Sequence, residues 1–274
     1  MEINGKTRIT GLFGFPVEHS LSPHMHNSAF RELDFDIIYV AFKVSPEDLT
    51  DAIKAVKALN LLGVNITVPH KERAIPLLDS IDEEASFIGA INTIVNSEGV
   101  LKGYNTDGRG FLSSLSEEGI SIDGKKIMII GTGGACRAIS YYLSEKASEL
   151  SLYDIDKSKA EKLIGDLKKI RDNVFLLDKI EDAERPDIII NATPLGMKSD
   201  DPSPVNPDLI TPDMVVCDLV YKKTKLLHDA EKKGARTLNG SGMLLWQGVL
   251  AFELWTGIIP PVDLMRKALL SRIK

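Results

Sequence analysis

Apolar and polar positions along this chain repeat with two periods, near two and near 3.6, and stretches of the two kinds alternate from end to end. The extended kind comes first, as RITGLFGF at 8–15. A helical pattern beginning near Ser22-Pro23 runs to Leu33, and IIYVAFKV at 37–44 reads as the next strand. Ser45-Pro46-Glu47 opens a second helix, with Ser45 as its cap and Pro46 in its first turn. GVNITV at 63–68 is a strand, 71–78 a helix, and AINTIV and VLKGYN a hairpin turning at Glu98-Gly99. A helix over 106–118 leads to a turn at 121–124 and to KKIMIIG, nearly continuous in apolar residues, as a strand buried on both faces requires. LSLYD, NVFLL, DIIINAT and VVCDLVY repeat that character, with a helix over 158–170 between the first two. Helices over 243–256 and 262–272 follow the turn Gly240-Ser241-Gly242. Strand and helix alternating in this way predict an α/β protein with parallel strands.

The apolar faces of the last two helices need a sheet, and they are assigned to the first half of the chain. The expected organisation is therefore discontinuous: 1–107 plus 239–274 form one domain and 108–238 a second. The 274 residues suffice for two cores, and 43% hydrophobic with 26% charged is an ordinary globular balance. A net charge of −6 gives no basic field for nucleic acid or an anionic membrane, and no stretch nears 18 uninterrupted apolar residues. The two cysteines, Cys136 and Cys217, fit neither a metal knuckle nor a disulfide framework. With no apolar leader pattern in MEINGKTRIT, a cytoplasmic protein is expected, acting on a small molecule as a monomer or homodimer.

Chemistry concentrates in two places. The first is Gly131-Thr132-Gly133-Gly134-Ala135, between an apolar strand and a helix. Glycines there let the backbone turn tightly and approach a pyrophosphate held at the helix N-terminus. Cys136 occupies the third glycine position of the strict pattern, and Asp154 closes the next strand. A tight turn that binds nothing is the plainer alternative. The second place is the set of strand exits in the first half: His19-Ser20-Leu21-Ser22, Asn65, Thr67 and Lys71, Asn92-Thr93, and Asn105-Thr106-Asp107. Hydroxyls and amides with one ammonium and one carboxylate suit a small polyhydroxylated ligand better than a phosphate. Singly, each has a dull explanation, such as a helix cap at Ser20 or Ser22 or a first-turn anion at Asp107. His24-Met25-His26 invites a metal, but i and i+2 of a helix face different ways and nothing completes a coordination sphere, so no metal is expected. Trp246 and Trp255 read as core, and Lys222-Lys223-Thr224-Lys225 as a solvated loop.

These residues resemble the shikimate dehydrogenase family and its quinate-using relatives over essentially the whole chain. The resemblance rests on Gly14-Phe15-Pro16 with His19 to Pro23 and His26-Asn27, on Gly63 to Pro69 with Lys71, and on Gly89 to Thr93. It continues through Gly103 to Asp107, Gly131 to Ala138, Asn191 to Met197, Asp218 to Tyr221, and Gly240 to Met243 with Gln247. It implies two α/β domains around a cleft, one binding substrate and one, Rossmann-like, binding a nicotinamide dinucleotide. Ser20, Ser22, Asn65, Thr67, Asn92, Tyr221 and Gln247 would line the substrate site, and Lys71 and Asp107 would be both ligands and the catalytic pair. On the cofactor side stand Gly131, Gly133, Gly134, Ala135, Asp154, Thr193, Gly240 and Met243. The implied reaction is the reversible reduction of 3-dehydroshikimate to shikimate, with quinate as the alternative substrate and a cofactor-sensing regulator as a non-enzymatic alternative.

In one place the chain departs from the commoner pattern of that family. Many relatives carry an Asn-Arg-Thr-like turn whose Arg clamps the 2′-phosphate of NADP; here the turn reads Asp154-Ile155-Asp156. Asp154 would accept a bond from a ribose 2′-OH and repel a phosphate, so NAD is expected over NADP. Lys157 and Lys159 follow closely enough to oppose that preference.

Overall fold

The apolar run at the start becomes a strand, β1 (Arg8–Gly14), in the computed structural model, which describes residues 2–273. After it come α1 (Ser22–Glu32), β2 (Ile37–Lys43), α2 (Leu49–Ala58), β3 (Gly63–Ile66), β4 (Ser80–Ile81), α3 (Glu83–Ile88), β5 (Thr93–Ser97) and β6 (Val100–Tyr104). The strands form one sheet in the order β2-β1-β3-β5-β6-β4. β1, β2 and β3 run parallel, but β5 is antiparallel to both β3 and β6, so the expected hairpin makes this sheet mixed. The hairpin between β5 and β6 turns at Glu98-Gly99, both with positive φ, as a two-residue turn matching strand twist demands.

Both faces of this sheet are buried. Val64 and Ile66 of β3 join Phe13, Ile53, Val56, Ile91, Ile94 and Leu101 on one face. Each such side chain stabilises the fold by about 1.5–3 kcal/mol. Asn65, with the opposite parity, is 5% exposed and accepts a bond from the Tyr39 hydroxyl. Two expected helices are corrected here. Residues 71–74 form turns followed by a short 3-10 segment, Ile75–Leu77, because Pro76 has no N–H to continue an α-helix. α2 starts at Leu49, and the Ser45 hydroxyl bonds the Asp48 carboxylate (2.8 Å) instead of capping a backbone N–H.

The next stretch contains α4 (Asp107–Glu117), β7 (Lys126–Ile130), α5 (Gly134–Lys146), β8 (Glu149–Tyr153), α6 (Lys157–Leu167), β9 (Val174–Leu176), β10 (Ile188–Asn191), β11 (Val215–Asp218), α7 (Lys225–Lys232) and β12 (Arg236–Leu238). Its sheet is parallel throughout, in the order β12-β11-β10-β7-β8-β9. Read from β9, this is the doubly wound dinucleotide-binding order, and its direction reverses between β7 and β10. The lysine run expected to be loop ends by opening α7, with Thr224 as the N-cap and Lys225 paired to Asp229.

α8 (Ser241–Thr256) and α9 (Val262–Leu270) follow. Two compact units result, one of residues 2–106 with Leu245–Ile273, the other Asp107–Leu244. Asp107 falls in the second unit because it begins α4, where a Cβ on Gly108 would meet the Tyr142 ring of α5 at 2.6 Å. The first turn of α8 stays with the second unit as well, where a Cβ on Gly242 would meet Ser114 of α4 at 2.8 Å. No helix among the described residues is long and apolar enough to cross a membrane.

Candidate active site

Chain direction decides which residues share a sheet edge. β1, β3 and β6 run the same way, so residues after Gly14, Ile66 and Tyr104 emerge at one end. β5 runs the other way, which brings its beginning, Asn92-Thr93, to that end: Asn65 pairs with Thr93, and Thr93 with Tyr104. The reversal thus joins Asn92 to residues that leave neighbouring strands at their carboxyl ends.

A continuous hydrogen-bonded chain links them. The Tyr39 hydroxyl donates to Asn65 Oδ1 (2.8 Å), and Asn65 Nδ2 donates to the Asn92 carbonyl (3.1 Å) and to Thr93 Oγ1 (3.0 Å). Thr93 Oγ1 donates to Asn92 Oδ1 (3.0 Å), which also accepts from Thr106 N–H (2.9 Å). Asn92 Nδ2 bonds Thr106 Oγ1 (2.9 Å), and Thr106 Oγ1 bonds the carbonyl of Gln247 on α8 (3.0 Å). Asn105 Nδ2 donates to the Ala90 carbonyl (2.9 Å). Both amide protons of Asn65 are engaged inside the protein, so what it offers a ligand is a lone pair on Oδ1.

Thr67 and Lys71 leave the exit of β3 on a turn held at several points. Thr67 N–H donates to Phe13 O (3.0 Å), His70 N–H to Thr67 O (2.9 Å), and Ile91 N–H to Lys71 O (2.9 Å). His70 is fully buried, its Nε2 2.8 Å from the Val44 carbonyl, which ties the turn to the end of β2. Lys71 is half-buried. Ser20 and Ser22 flank Leu21, the residue at the N-cap of α1, and neither serves as that cap. Ser20 Oγ instead accepts from Ser22 N–H (3.3 Å), and Ser22 is buried. His26 is fully buried and stacks on Tyr39 with ring centroids 4.5 Å apart. Burial alone pushes its imidazole down to about 3, so it is a neutral aromatic plate.

In the second unit the glycine loop lies between β7 and α5. Gly131 has φ +90, and a Cβ there would meet Thr193 Cγ2 at 2.7 Å. Gly133 and Gly134 face open space: added Cβ atoms would meet nothing within 4 Å. Ala135 follows in the first turn of α5, whose N-cap Gly133 contributes no side-chain bond. The first-turn N–H groups of that helix therefore have room for an anion. Cys136 is buried beside Ser140 (Sγ···Oγ 3.4 Å), and burial pushes its thiol up to about 12, which suits packing and not reactivity.

Asp154 accepts from Thr132 N–H (2.6 Å), Thr132 Oγ1 (2.8 Å) and Asp156 N–H (2.9 Å). Burial disfavours its charge, but the bonds from Asp156 and Thr132 outweigh that and hold the carboxyl below the usual range. Asp154 thereby fastens the glycine loop to the end of β8. Ile155 is 93% exposed, while Lys157 pairs with Asp178 (2.6 Å) and Lys159 with Asp156 (3.4 Å).

Thr193 is tied through Asn191 to one buried carboxylate, and Tyr221 follows Val220, whose N–H the same carboxylate holds. Asp218 accepts from Asn191 Nδ2 (3.0 Å), Val220 N–H (3.0 Å) and Thr224 Oγ1 (2.7 Å), and burial raises its pKa despite these bonds. Asn191 Oδ1 accepts from Thr193 N–H and Oγ1 (3.0 and 2.6 Å). Gly240 N–H donates to Val220 O (3.1 Å), and a Cβ on Gly240 would collide with the Leu219 carbonyl. Met243 stands half-buried in the first turn of α8.

Of the residues expected from sequence, Ser20, Ser22, Asn65, Thr67, Lys71, Asn92 and Gln247 fall in the first unit, and Asp107, Tyr221 and the cofactor-side residues in the second. Sequence reasoning missed Tyr39 and Asp218. Asp218 could have been found, being an acid at the end of an apolar strand; Tyr39 sits in a run apolar at almost every position.

The chain matches the shikimate dehydrogenase substrate binding domain over residues 12–94 and the shikimate 5′-dehydrogenase C-terminal domain over 240–270. A shikimate dehydrogenase (NADP(+)) of Desulforamulus reducens is 45% identical over 99% of this chain and 97% of its own length. The crystal structure of shikimate dehydrogenase from Aquifex aeolicus superposes with a TM-score of 0.93 at 41% identity, covering 97% of this chain and 99% of that one. That of shikimate 5-dehydrogenase from Listeria monocytogenes, in complex with shikimate and NAD, gives 0.91 at 40% identity, covering 97% and 98%. With likeness of this extent at both sequence and fold, the chain belongs to the shikimate dehydrogenase family.

Proposed function

We propose that this protein reversibly reduces 3-dehydroshikimate to shikimate with a nicotinamide dinucleotide. The observation that carries the reading is the hydrogen-bonded chain from Tyr39 to Gln247, an array of amides and hydroxyls gathered at one sheet edge. Such an array recognises a ligand dense in hydroxyls. A doubly wound sheet with open backbone at Gly133 and Gly134 supports the cofactor. When bound, the dinucleotide supplies or receives the hydride. The protein's part is the proton. Lys71 as an ammonium donates it to the carbonyl oxygen during reduction and, as an amine, takes it back during oxidation. Its positive charge also stabilises the developing alkoxide, and Asp107 is the carboxylate that the family resemblance pairs with it in catalysis. Ser20, Ser22, Asn65, Thr67, Asn92, Tyr221 and Gln247 bind the substrate's carboxylate and hydroxyls.

For the dinucleotide we hold NAD over NADP, although the relatives compared by sequence are named for NADP(+). The support is local charge. Asp154 and Asp156 are both held below the usual carboxylate range, Ile155 between them carries no charge, and Lys157 and Lys159 are each paired. Discrimination then comes from repulsion of a 2′-phosphate: like charges at ~4 Å with an effective dielectric near 20 cost about 4 kcal/mol before screening. Oxidation of shikimate and of quinate, each followed at the nicotinamide absorbance with both dinucleotides, tests the whole reading. Absence of shikimate oxidation sinks the activity, and a tenfold higher kcat/KM with NADP overturns the cofactor preference.

A further inference from the structure

Tyr39 stands at the far end of the hydrogen-bonded chain described above and is not among the residues read as touching substrate or cofactor. It lies on β2, two strands from β3 on the same sheet face as Asn65, and is 2% exposed. Its ring cannot swing. His26 covers it in near-parallel stacking (4.5 Å, 4°), and Trp255 leans on it with centroids 6.1 Å apart. The hydroxyl is thus aimed by packing: it donates to Asn65 Oδ1 at 2.8 Å and lies beside the Ser22 side chain. Both are residues read above as substrate ligands.

The orientation of the Asn65 amide follows from its neighbours. The Asn92 carbonyl can only accept, so Nδ2 must face it, at 3.1 Å. Oδ1 is then turned toward the Tyr39 O–H. Without that donor, one side of a buried amide oxygen loses its partner, and the amide and the Ser22 hydroxyl gain freedom to turn. We propose that Tyr39 is a positioning residue of the substrate site, its hydroxyl holding Asn65 and Ser22 in the orientation that recognises the substrate without touching the substrate itself. The proposal rests on the substrate reading given under Proposed function.

Tyr39→Phe keeps the ring on His26 and removes only the hydroxyl. Its shikimate KM should rise about tenfold, the scale of one buried hydrogen bond, with kcat changed less than threefold and the dinucleotide KM less than twofold. Combined with Ser22→Ala, the loss in kcat/KM should be smaller than the product of the two single losses, since the groups act together. A purely structural Tyr39 would lower Tm and leave the shikimate KM within twofold of wild type, and that result overturns the proposal. An equal rise in both KM values overturns it too. If Tyr39→Phe does not fold, Thr93→Val removes the hydroxyl on the other side of the Asn65 amide, and an unchanged shikimate KM there counts against the proposal equally. Wild-type protein inactive on shikimate would fault the function itself; active wild type with an unaffected Tyr39→Phe faults Tyr39 alone.

Discussion

At the scale of single residues, the turn after β3 shows how packing can serve chemistry. Its backbone is pinned by Phe13, Ile91 and the buried His70, so the Lys71 side chain starts from a fixed point. A lysine on a mobile loop would lose backbone and side-chain entropy each time it reached a substrate oxygen; here the backbone part is already lost on folding. Lys71→Ala should therefore fold normally and lose roughly 10²–10⁴-fold in kcat, with a much smaller change in shikimate KM. A kcat within threefold of wild type would remove Lys71 from the chemistry. Asp107→Asn should also be slow, and the double variant should lose less than the product of the single losses, because groups acting as a unit are not additive.

Among the elements, the loop between β7 and α5 separates two uses of glycine. Gly131 has a backbone that strains other residues and a neighbour, Thr193, that a Cβ would strike. Gly131→Ala should lower stability by about 1–3 kcal/mol, read as a fall in the urea midpoint. Gly134 is ordinary helix facing open space, and Ala there should add about 0.5–1 kcal/mol. If a pyrophosphate approaches that helix end, Gly134→Ala nonetheless weakens dinucleotide binding, giving a more stable protein with a higher cofactor KM. Stability and affinity moving together in Gly134→Ala would contradict that approach. The glycine loop was legible because strand, glycines and helix occur in order, and the β5–β6 hairpin because Glu98-Gly99 interrupts two alternating runs. The pairing of β5 with β3 was not, since register between distant strands is decided by tertiary packing. Nor was Tyr39, because IIYVAFK has no polar alternation to tell its faces apart. The misplaced helix at 71–78 had a visible warning in Pro76, which the apolar spacing of the segment outweighed.

For the molecule as a whole, His26 shapes the response to acid. Its folded pKa of about 3 lies below the ordinary value of 6.5, so the unfolded chain binds the extra proton between those two values. Stability is complete above about 6.5 and declines as pH falls toward 3, by about 1.4 kcal/mol per pH unit from this group alone. The raised pKa of Asp218 acts in the opposite sense just above 3.8, where its unfolded carboxyl ionises first. His26→Phe keeps an aromatic ring between Tyr39 and Phe252, and its Tm should fall less than that of wild type between pH 7 and 5. Parallel curves for the two proteins would show that His26 is not the group responsible.

The indole N–H of Trp255 donates to the Ile94 carbonyl (3.0 Å) across 161 positions of sequence, closing the aromatic face of the first sheet with a helix made near the end of the chain. Synthesis at about 5–20 residues per second puts roughly 8–30 s between the two partners. During that interval Phe30, Tyr39 and His26 have been made without the helix whose rings pack on them. The nascent chain therefore presents an apolar surface for many seconds after its own strands exist, and the ribosome-bound intermediate is where a chaperone that shields exposed aromatics would have most to bind.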